Sequence, residues 1–340
     1  MTANSMRALV YEGPRIMNLR ELPVPEPGEQ EALIEVRRAG ICGSELGGYL
    51  GHNSLRKPPL VMGHEFSGVV RKLGSRVTSV KEGDRVTVNP LITCGHCAYC
   101  QSGRDQLCLE RQLIGAHRPG AFAGFVSVPA KNLYRLPEHV SMDEGALVEP
   151  LACAVHVCRL LQLSSGDRLF IAGAGPIGLF VLLAAQAFGL QDVVISDLNR
   201  ERLDIAEELG GIAVEGAVDA WKAAHLAEGF DAAVDAVGAE ATRTGCVTAV
   251  KPGGKVIFTG LHEADSKLPI NLAVRSEISM QGAFAYAPQD FALALQWISE
   301  GKNRLAPWTV VAPLAEGGPS FEKLITGPGK TAKILLDTQG

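Results

Sequence analysis

The 340-residue sequence has no long apolar run, although 46% of its residues are hydrophobic. No window reaches the roughly 20 consecutive apolar residues that cross a membrane, and the first ten residues, MTANSMRALV, lack the basic and then apolar order of a secretory signal. The formal net charge is −5 and the basic residues are scattered, so no basic stripe favours binding to a phosphate backbone. We therefore expect a cytoplasmic protein with no membrane partner and no nucleic-acid partner.

Eight cysteines in a sequence without an export signal indicate reduced thiols rather than disulfides. Three of them lie in apolar, helix-like segments and are interpreted as small buried hydrophobic residues: Cys153, Cys158 and Cys246. The other five lie beside glycine, histidine or another cysteine, as metal ligands often do: Cys42, Cys94, Cys97, Cys100 and Cys108.

The hydrophobic pattern changes along the chain and predicts two domains. From Arg7 to about Val128, short alternating runs are broken by glycine and proline, which is typical of a largely β domain. From Arg168 onward, strand-like and helix-like segments alternate, which predicts a parallel sheet with helices on both faces. The segment DFALALQWISEG then predicts a helix and KTAKILLD a strand; this final part is too short for a domain, so we expect it to return to the β domain.

A G-x-G-x-x-G motif follows the strand RLFIA and opens the helix PIGLFVLLAAQAF; its glycines are Gly173, Gly175 and Gly178. In this context the backbone can approach a pyrophosphate, whose charge the helix N-terminus attracts. Asp197 ends the next strand, VVISD, where a carboxylate can accept ribose hydroxyls and repel a 2′-phosphate. The pattern favours NAD over NADP, but Arg200 and Arg202 leave NADP possible because either can reach a phosphate. The alternative is a tight strand-to-helix turn without a ligand.

The segment from Cys94 to Cys108 has the spacing C-x2-C-x2-C-x7-C. Four thiolates on one short loop can close a tetrahedron around zinc and leave no position for water or substrate, so such a site is structural. Two disulfides or an iron–sulfur cluster are the alternatives, the first disfavoured by the expected compartment. His96 lies within this lobe and is expected to be exposed rather than ligating.

A second set of residues suits an open metal site: Cys42 in AGICGSE, His64 and Glu65 in MGHEFSG, and Glu149 in ALVEPLA. Taken singly, each is more often an ordinary buried residue than a ligand. Their combination carries more weight. The order GICGSE, GHEFSG, four-cysteine lobe, VEPLA and GAGPIG resembles the zinc-dependent medium-chain dehydrogenase/reductase family, most closely its polyol branch of sorbitol and sugar-alcohol dehydrogenases.

The resemblance covers nearly the whole chain and implies an α/β fold of two domains. One is a GroES-like, mostly β, zinc-binding catalytic domain formed by residues 1–150 and completed by residues 288–340. The other is a Rossmann domain with a doubly wound parallel sheet, formed by residues 151–287. The active site is expected in the cleft between them.

The resemblance also implies roles for single residues. Cys42 and His64 become ligands of a catalytic zinc, with Glu65 and Glu149 as candidates for the third or fourth place. Because two carboxylates would leave the shell negative and oppose an alkoxide, we expect the glutamates to alternate, one ligating while the other hydrogen-bonds the metal-bound water. Ser44 is expected to accept a hydrogen bond from the substrate hydroxyl and to pass its proton to the ribose and solvent. The alternative for Ser44 is a turn serine that bonds local backbone.

Cofactor contacts follow from the same resemblance. Besides the three glycines and Asp197, they are Pro176, Ile177, Arg202, Thr259, Leu261, Phe284 and Tyr286. The last four belong to two loops expected to line the nicotinamide.

Three positions depart from the family pattern. Glu45 replaces the usual aspartate that orients the histidine ligand, so the metal affinity is expected to be tuned rather than lost. Gly47 replaces a histidine of the proton relay. Ala285 replaces an arginine of the sorbitol enzymes, which makes sorbitol a doubtful substrate. Tyr49 and Asn53, with the neighbouring His52, offer polar groups that can serve a sugar alcohol or face water.

The sequence therefore predicts a zinc-dependent, NAD-linked alcohol or polyol dehydrogenase that oxidises a secondary hydroxyl to a ketone reversibly, with two zinc ions per chain and a homodimeric or homotetrameric state. One alternative is an NADPH-linked reductase of a keto sugar or inosose. Another is a non-catalytic dinucleotide-binding structural or sensor protein. A zinc-free quinone reductase should lack the four-cysteine lobe.

Overall fold

The computed structural model describes residues 5–216, 229–302 and 304–340. Two units follow one another along the chain: a mostly antiparallel β unit and a parallel-sheet unit. Within the described part of the chain, no helix combines the length and the apolar character that crossing a membrane requires.

The β unit is built from short strands separated by glycine- and proline-containing turns. Its N-terminal strands are β1 (Ser5–Gly13), β2 (Ile16–Pro23), β3 (Glu31–Gly40), β4 (Leu60–Val61), β5 (Glu65–Leu73), β6 (Arg85–Val88), β7 (Leu91–Ile92), β8 (Gln112–Leu113), β9 (Phe125–Pro129) and β10 (Leu133–Arg135). Three short helices interrupt them: α1 (Gly43–Tyr49), α2 (Ala98–Gln101) and α3 (Met142–Ala146).

The end of the chain returns to this unit. After α10 (Gly317–Thr326), strand β18 (Lys333–Asp337) pairs antiparallel with β3 and parallel with β17 (Thr309–Pro313). The resulting seven-stranded sheet has the order β10-β6-β5-β3-β18-β17, with β9 also paired to β3. Strand β3 therefore lies between β5 and β18, and side chains from distant parts of the sequence meet across it.

The second unit contains six parallel strands in the order β13-β12-β11-β14-β15-β16. They are β11 (Leu169–Ala172), β12 (Val193–Asp197), β13 (Ile212–Glu215), β14 (Phe230–Asp235), β15 (Val250–Phe258) and β16 (Ser279–Gly282). The helices are α4 (Val148–Leu161), α5 (Pro176–Ala187), α6 (Arg200–Glu208), α7 (Glu240–Ala249), α8 (Ile270–Arg275) and α9 (Pro288–Ser299). The order reverses beside β11, and ligands of open α/β sheets bind at such a switch point.

The central strand β11 is buried on both faces, which explains its uninterrupted apolar sequence LFIA. One face packs against α4, α5 and α9. The other face includes Phe170, whose ring centroid lies 5.3 Å from that of Phe230, together with Cys246. Cys158 and Cys246 are buried, and Cys153 is half-buried against the core on the α4, α5 and α9 side of the sheet. Burial raises the pKa of all three thiols. This agrees with their interpretation as packing residues.

Candidate metal centre and nucleotide site

Three candidate ligands meet where β3 ends and β5 begins. Cys42 precedes α1, and His64 directly precedes Glu65, the first residue of β5, which lies opposite Gly40 of β3. One ligand atom from each of Cys42, His64 and Glu65 lies within 4.8 Å of the other two. A thiolate, an imidazole and a carboxylate at this spacing are a donor set that fits zinc and leaves a fourth position open.

A buried carboxylate orients the histidine of this cluster. Glu45 is fully buried, and its Oε1 lies 2.8 Å from His64 Nδ1 and accepts from the Gly63 N–H at 2.8 Å. Its Oε2 accepts from the Cys42 N–H at 3.0 Å. Burial alone would raise the pKa of Glu45, but His64 and these donors lower it. With Nδ1 occupied, the Nε2 of His64 is the nitrogen available to a metal.

The surroundings of His64 are negative. Burial alone would lower the pKa of His64, yet the neighbouring Glu45 carboxylate and Cys42 sulfur raise it well above its usual value. A pocket that favours a proton on a buried imidazole in this way also favours a metal cation in the proton's place.

Lys333 of β18 is a member of the site that the sequence analysis missed. Its ammonium forms an ion pair with Glu65 Oε2, and both side chains are almost completely buried, 2% and 1% exposed. A Cβ atom at Gly40, on the strand between them, would collide with Glu65 Oε2 and approach Lys333 Cε to 3.0 Å. The absence of a side chain at Gly40 therefore leaves room for the pair in this arrangement. The available signal was a lysine inside the apolar strand segment KTAKILLD.

Glu149 lies in the first turn of α4, 6% exposed and outside the three-residue cluster. Its Oε1 accepts a hydrogen bond from the Tyr286 hydroxyl at 3.0 Å. Burial and the nearby Glu65 raise the pKa of Glu149 to about 7, despite opposing contributions from His64, Tyr286 and Lys333. Tyr286 is 1% exposed and holds this carboxyl group from the parallel-sheet side.

Ser44 in α1 connects Cys42 to an arginine that the sequence analysis did not single out. Its Oγ donates to Cys42 Sγ at 3.3 Å and accepts from Arg56 Nη2 at 3.1 Å.

Tyr49 does not offer a free hydroxyl, because that group is buried and donates to Glu322 at 2.8 Å. The amide of Asn53 donates to the Ser44 carbonyl at 3.4 Å.

The four cysteines of the lobe converge on one point. Their Sγ–Sγ distances include 3.9 Å for Cys94–Cys100, 3.5 Å for Cys97–Cys100 and 3.6 Å for Cys94–Cys108. A zinc tetrahedron with Zn–S near 2.3 Å has edges of about 3.8 Å. All of these thiols are free, so no disulfide competes. Backbone N–H groups are the main cause that lowers the pKa of Cys94 to about 6, which favours the thiolate that metals bind.

His96 is exposed and lies outside the four sulfurs, as expected; its Nδ1 is 3.0 Å from the Cys94 carbonyl oxygen. A second grouping, Cys94, His96 and Glu110, also clusters, with its histidine and glutamate exposed. It shares Cys94 with the four-sulfur set, so the two sets compete for that sulfur.

The glycine motif forms the predicted strand-to-helix turn at the switch point. Gly173 has φ = 104°, a conformation that favours glycine, and Gly175 precedes α5, which begins at Pro176. Gly178 packs so closely under the turn that any Cβ would overlap the Gly173 carbonyl oxygen. Asp197 lies beside this turn, where its Oδ2 accepts from the Ala174 N–H at 2.7 Å.

The remaining predicted cofactor contacts follow the carboxyl ends of parallel strands, so they share one edge of the sheet with the glycine turn. Thr259 and Leu261 follow β15, and Leu261 is 77% exposed. Phe284 follows β16, with the Arg111 guanidinium 4.8 Å from its ring centre. Ile177 is half-buried in the first turn of α5, and the Arg202 N–H bonds to the Asn199 cap of α6.

Arg200 is engaged on its own helix. Its guanidinium donates to Asp204 at 2.8 Å and to Glu207 at 2.5 Å. Both partners lie within one or two turns of the same helix, at the protein surface.

Two family profiles match the chain: "Alcohol dehydrogenase GroES-like domain" over residues 28–138 and "Zinc-binding dehydrogenase" over residues 176–300. A probable D-xylulose reductase A of Aspergillus clavatus is 33% identical over 339 residues, covering 95% of this chain and 94% of the relative. An alcohol dehydrogenase of Escherichia coli CFT073, solved with NADH, superposes with a TM-score of 0.92 at 28% identity, covering 98% of this chain and 100% of that one. The 2R,3R-butanediol dehydrogenase of Bacillus subtilis superposes with a TM-score of 0.89 at 30% identity, covering 98% and 99%.

These matches confirm the predicted fold class, a GroES-like β unit joined to a Rossmann parallel sheet. They also confirm the predicted dependence on zinc and a nicotinamide dinucleotide. The chain belongs to the zinc-dependent medium-chain dehydrogenase/reductase family and is an oxidoreductase of its alcohol and polyol dehydrogenase type.

Proposed function

We propose that this enzyme interconverts a secondary hydroxyl of a small polyol and the corresponding ketone, with NAD as the hydride acceptor and with a catalytic zinc held by Cys42, His64 and Glu65. The observation that carries the proposal is the convergence of these three donors within 4.8 Å of one another. A relative described as a D-xylulose reductase and a structural neighbour described as a butanediol dehydrogenase support a small polyol as substrate. We further propose that the enzyme acts in the cytoplasm as a homodimer or homotetramer.

Zinc, when bound at this cluster, acts as a Lewis acid that lowers the pKa of a substrate hydroxyl. The charges of the surrounding side chains suit that task. The Cys42 thiolate and the Glu65 carboxylate neutralise a dication, and the Lys333 ammonium offsets one of these negative charges. These four charges leave the shell positive for an oxygen that gains negative charge, provided that the carboxyl group of Glu149 is protonated; an ionised Glu149 brings the sum to zero.

The proton of the substrate hydroxyl leaves through side chains of the β unit. Ser44 Oγ has one lone pair left after its bonds to Cys42 and Arg56, and it can accept the substrate's hydrogen bond there. As Ser44 takes the substrate's proton it passes on its own, and because Gly47 offers no relay group, that proton goes to the ribose or to water. Glu149, with a pKa of about 7, can exchange a proton with water near neutral pH, and Tyr286 holds it in place.

The glycine turn, Asp197 and the loops after β15 and β16 share one edge of the sheet and would hold the dinucleotide. The N–H groups at the start of α5 would bind its pyrophosphate. The Asp197 carboxylate beside the turn supports NAD over NADP, because a 2′-phosphate would be repelled. Solved structural neighbours are described with NADH and with NADP, so the choice of NAD depends on Asp197.

The test is a substrate screen over pentitols, cyclitols and butanediols with NAD and NADP, followed by NADH or NADPH absorbance. It is combined with zinc analysis of the wild type and of His64→Asn, Cys97→Ser and Asp197→Ala. We expect two zinc ions per wild-type chain and one in each ligand variant. His64→Asn should lose turnover but still bind NADH, and Asp197→Ala should lose preference for NAD. An active enzyme with a single ion, held by the lobe, would overturn the proposal, as would faster ketone reduction with NADPH.

A further inference from the structure

The loop between α1 and β4 places a buried arginine, Arg56, across α1, the helix that carries Ser44. Arg56 is 3% exposed, and its side chain crosses α1 where Gly48 leaves room: a Cβ at Gly48 would lie 2.5 Å from Arg56 Cδ. Asn53 fastens the loop, since its carbonyl accepts from the Arg56 N–H at 3.2 Å and its amide donates to the Ser44 carbonyl at 3.4 Å. Gly48, the third glycine of GSELGGY, therefore leaves room for the Arg56 side chain.

A buried guanidinium is costly unless its charge and its donors are used. The Glu45 carboxylate is close enough to interact with the charge of Arg56. Of its donors, Nη2 bonds to Ser44 Oγ at 3.1 Å, whereas Nε has no hydrogen-bond partner within the described chain. The contact with Ser44 is thus the specific polar contact that this buried side chain makes near the metal cluster.

We propose that Arg56 is a positioning residue that orients the Ser44 hydroxyl toward the substrate, an inference that rests on the proposed function and deepens it. A serine oxygen has one proton and two lone pairs. Because Arg56 fills one lone pair, the Ser44 proton does not point at the guanidinium; it is directed at Cys42 Sγ, 3.3 Å away, and can turn from there to a ribose hydroxyl or water when a substrate proton is taken up. The second lone pair then faces the open side of the cluster, ready to accept from a substrate hydroxyl.

Replacement of the relay histidine by Gly47 makes this orientation more important. No imidazole at that position can hold the serine or the ribose, and the nearest group to a Cβ at Gly47 would be Asn53, 3.9 Å away. Arg56, in the loop that follows α1, bonds back to Ser44 of that helix. A guanidinium cannot itself give up a proton. Its contribution is a fixed donor and a fixed positive charge.

The experiment is a double-mutant cycle with Arg56→Met, Ser44→Ala and the double variant, assayed with the best alcohol from the substrate screen. Because a charge-assisted hydrogen bond is lost, Arg56→Met should lower kcat by about 10-fold or more with little change in KM. Arg56→Lys should recover part of kcat. In the Ser44→Ala background, Arg56→Met should change kcat by less than about twofold, because the group through which Arg56 acts is already gone.

Arg85→Met is the matched control, since Arg85 also bonds with its guanidinium, here to the carbonyls of Pro137, Glu138 and Val140. It should lower thermal stability and leave kcat unchanged. Equal losses of kcat from Arg56→Met in both backgrounds, or loss of one zinc ion from Arg56→Met, would overturn the inference and leave the proposed function standing. A wild type inactive with every alcohol would refute both.

Discussion

Glu45→Gln tests the second sphere of the metal cluster most directly. The carboxylate accepts three hydrogen bonds, from His64 and the Gly63 N–H at Oε1 and from the Cys42 N–H at Oε2. Glutamine has the same shape but only one acceptor oxygen. If that oxygen takes the Oε1 position, the NH2 group faces the Cys42 N–H, and in the reverse orientation it faces two donors.

The magnitude follows from this count. In the better orientation one buried N–H loses its partner, which costs about 1–3 kcal/mol, and the negative charge beside His64 is lost as well. Replacing a group that orients a metal-bound histidine typically lowers metal affinity by about 10–100-fold, which is the same range of free energy. We therefore expect Glu45→Gln to bind zinc at the cluster about 10–100-fold more weakly and to keep the lobe zinc.

Competition with a chromophoric chelator, with metal content measured at each step, resolves the two sites. Glu45→Asp should stay close to the wild type, because it keeps both acceptor oxygens. Glu31→Gln is the matched control: this carboxylate accepts from Ser127 and Arg118, each at 2.7 Å, at the far end of β3. It should retain two zinc ions. Wild-type affinity in Glu45→Gln, or loss of the lobe zinc instead, would refute the reasoning.

Three further predictions concern the ion pair, the glycine and a buried carboxylate. Lys333→Met should lower the free energy of unfolding by about 3–5 kcal/mol in zinc-free protein, because Glu65 is left buried without a cation. The loss should be smaller in zinc-loaded protein, where zinc compensates. Equal losses with and without chelator would contradict this. Gly40→Ala places a methyl group against Glu65 Oε2 and should reduce the metal content from two zinc ions to one, whereas an unchanged content would show that the carboxylate can move aside. Burial alone would raise the pKa of Asp290. The pKa is nevertheless lowered, because His156 at 2.7 Å and other donors favour the carboxylate. Its contribution to stability is complete above the unfolded pKa of about 3.9 and lost as pH falls through the folded pKa. The melting temperatures of the wild type and Asp290→Asn should therefore differ by a constant amount between about pH 5 and 8 and begin to converge below about pH 4; convergence already above pH 5 would contradict this.

The parts of the site that lie close together in sequence could be predicted from it. The four-cysteine spacing fixes a loop too short to separate its sulfurs, and the structure brings them to within 3.5–3.9 Å for the pairs in contact. The glycine turn was predictable for the same reason, because a strand, three glycines and a helix follow one another directly. Local constraints of this kind leave few alternative geometries.

The parts that depend on strand order could not be predicted. Lys333 reaches Glu65 only because β18 pairs with β3, and the sequence of β18 does not say which strand it joins. Arg56 was equally hidden, since a loop arginine is usually solvated and only the packing over Gly48 buries it. Tyr286 was expected at the nicotinamide, and its hydrogen bond to Glu149 depends on how the two units meet.

Glu65, in the cluster, and Glu149, beside it, differ in environment, and that difference refines the expectation that they alternate. Glu65 faces Lys333, which offsets its charge whether or not a metal is present, and it lies in the cluster with Cys42 and His64. Glu149 has no such cation in direct contact within the described chain; it accepts from a neutral phenol, and its pKa of about 7 lets it be neutral or charged near physiological pH. A ligand should keep its charge, whereas a group that exchanges protons must be able to lose it. Glu65 is therefore better suited to hold zinc, and Glu149 to respond when the charge at the open position changes.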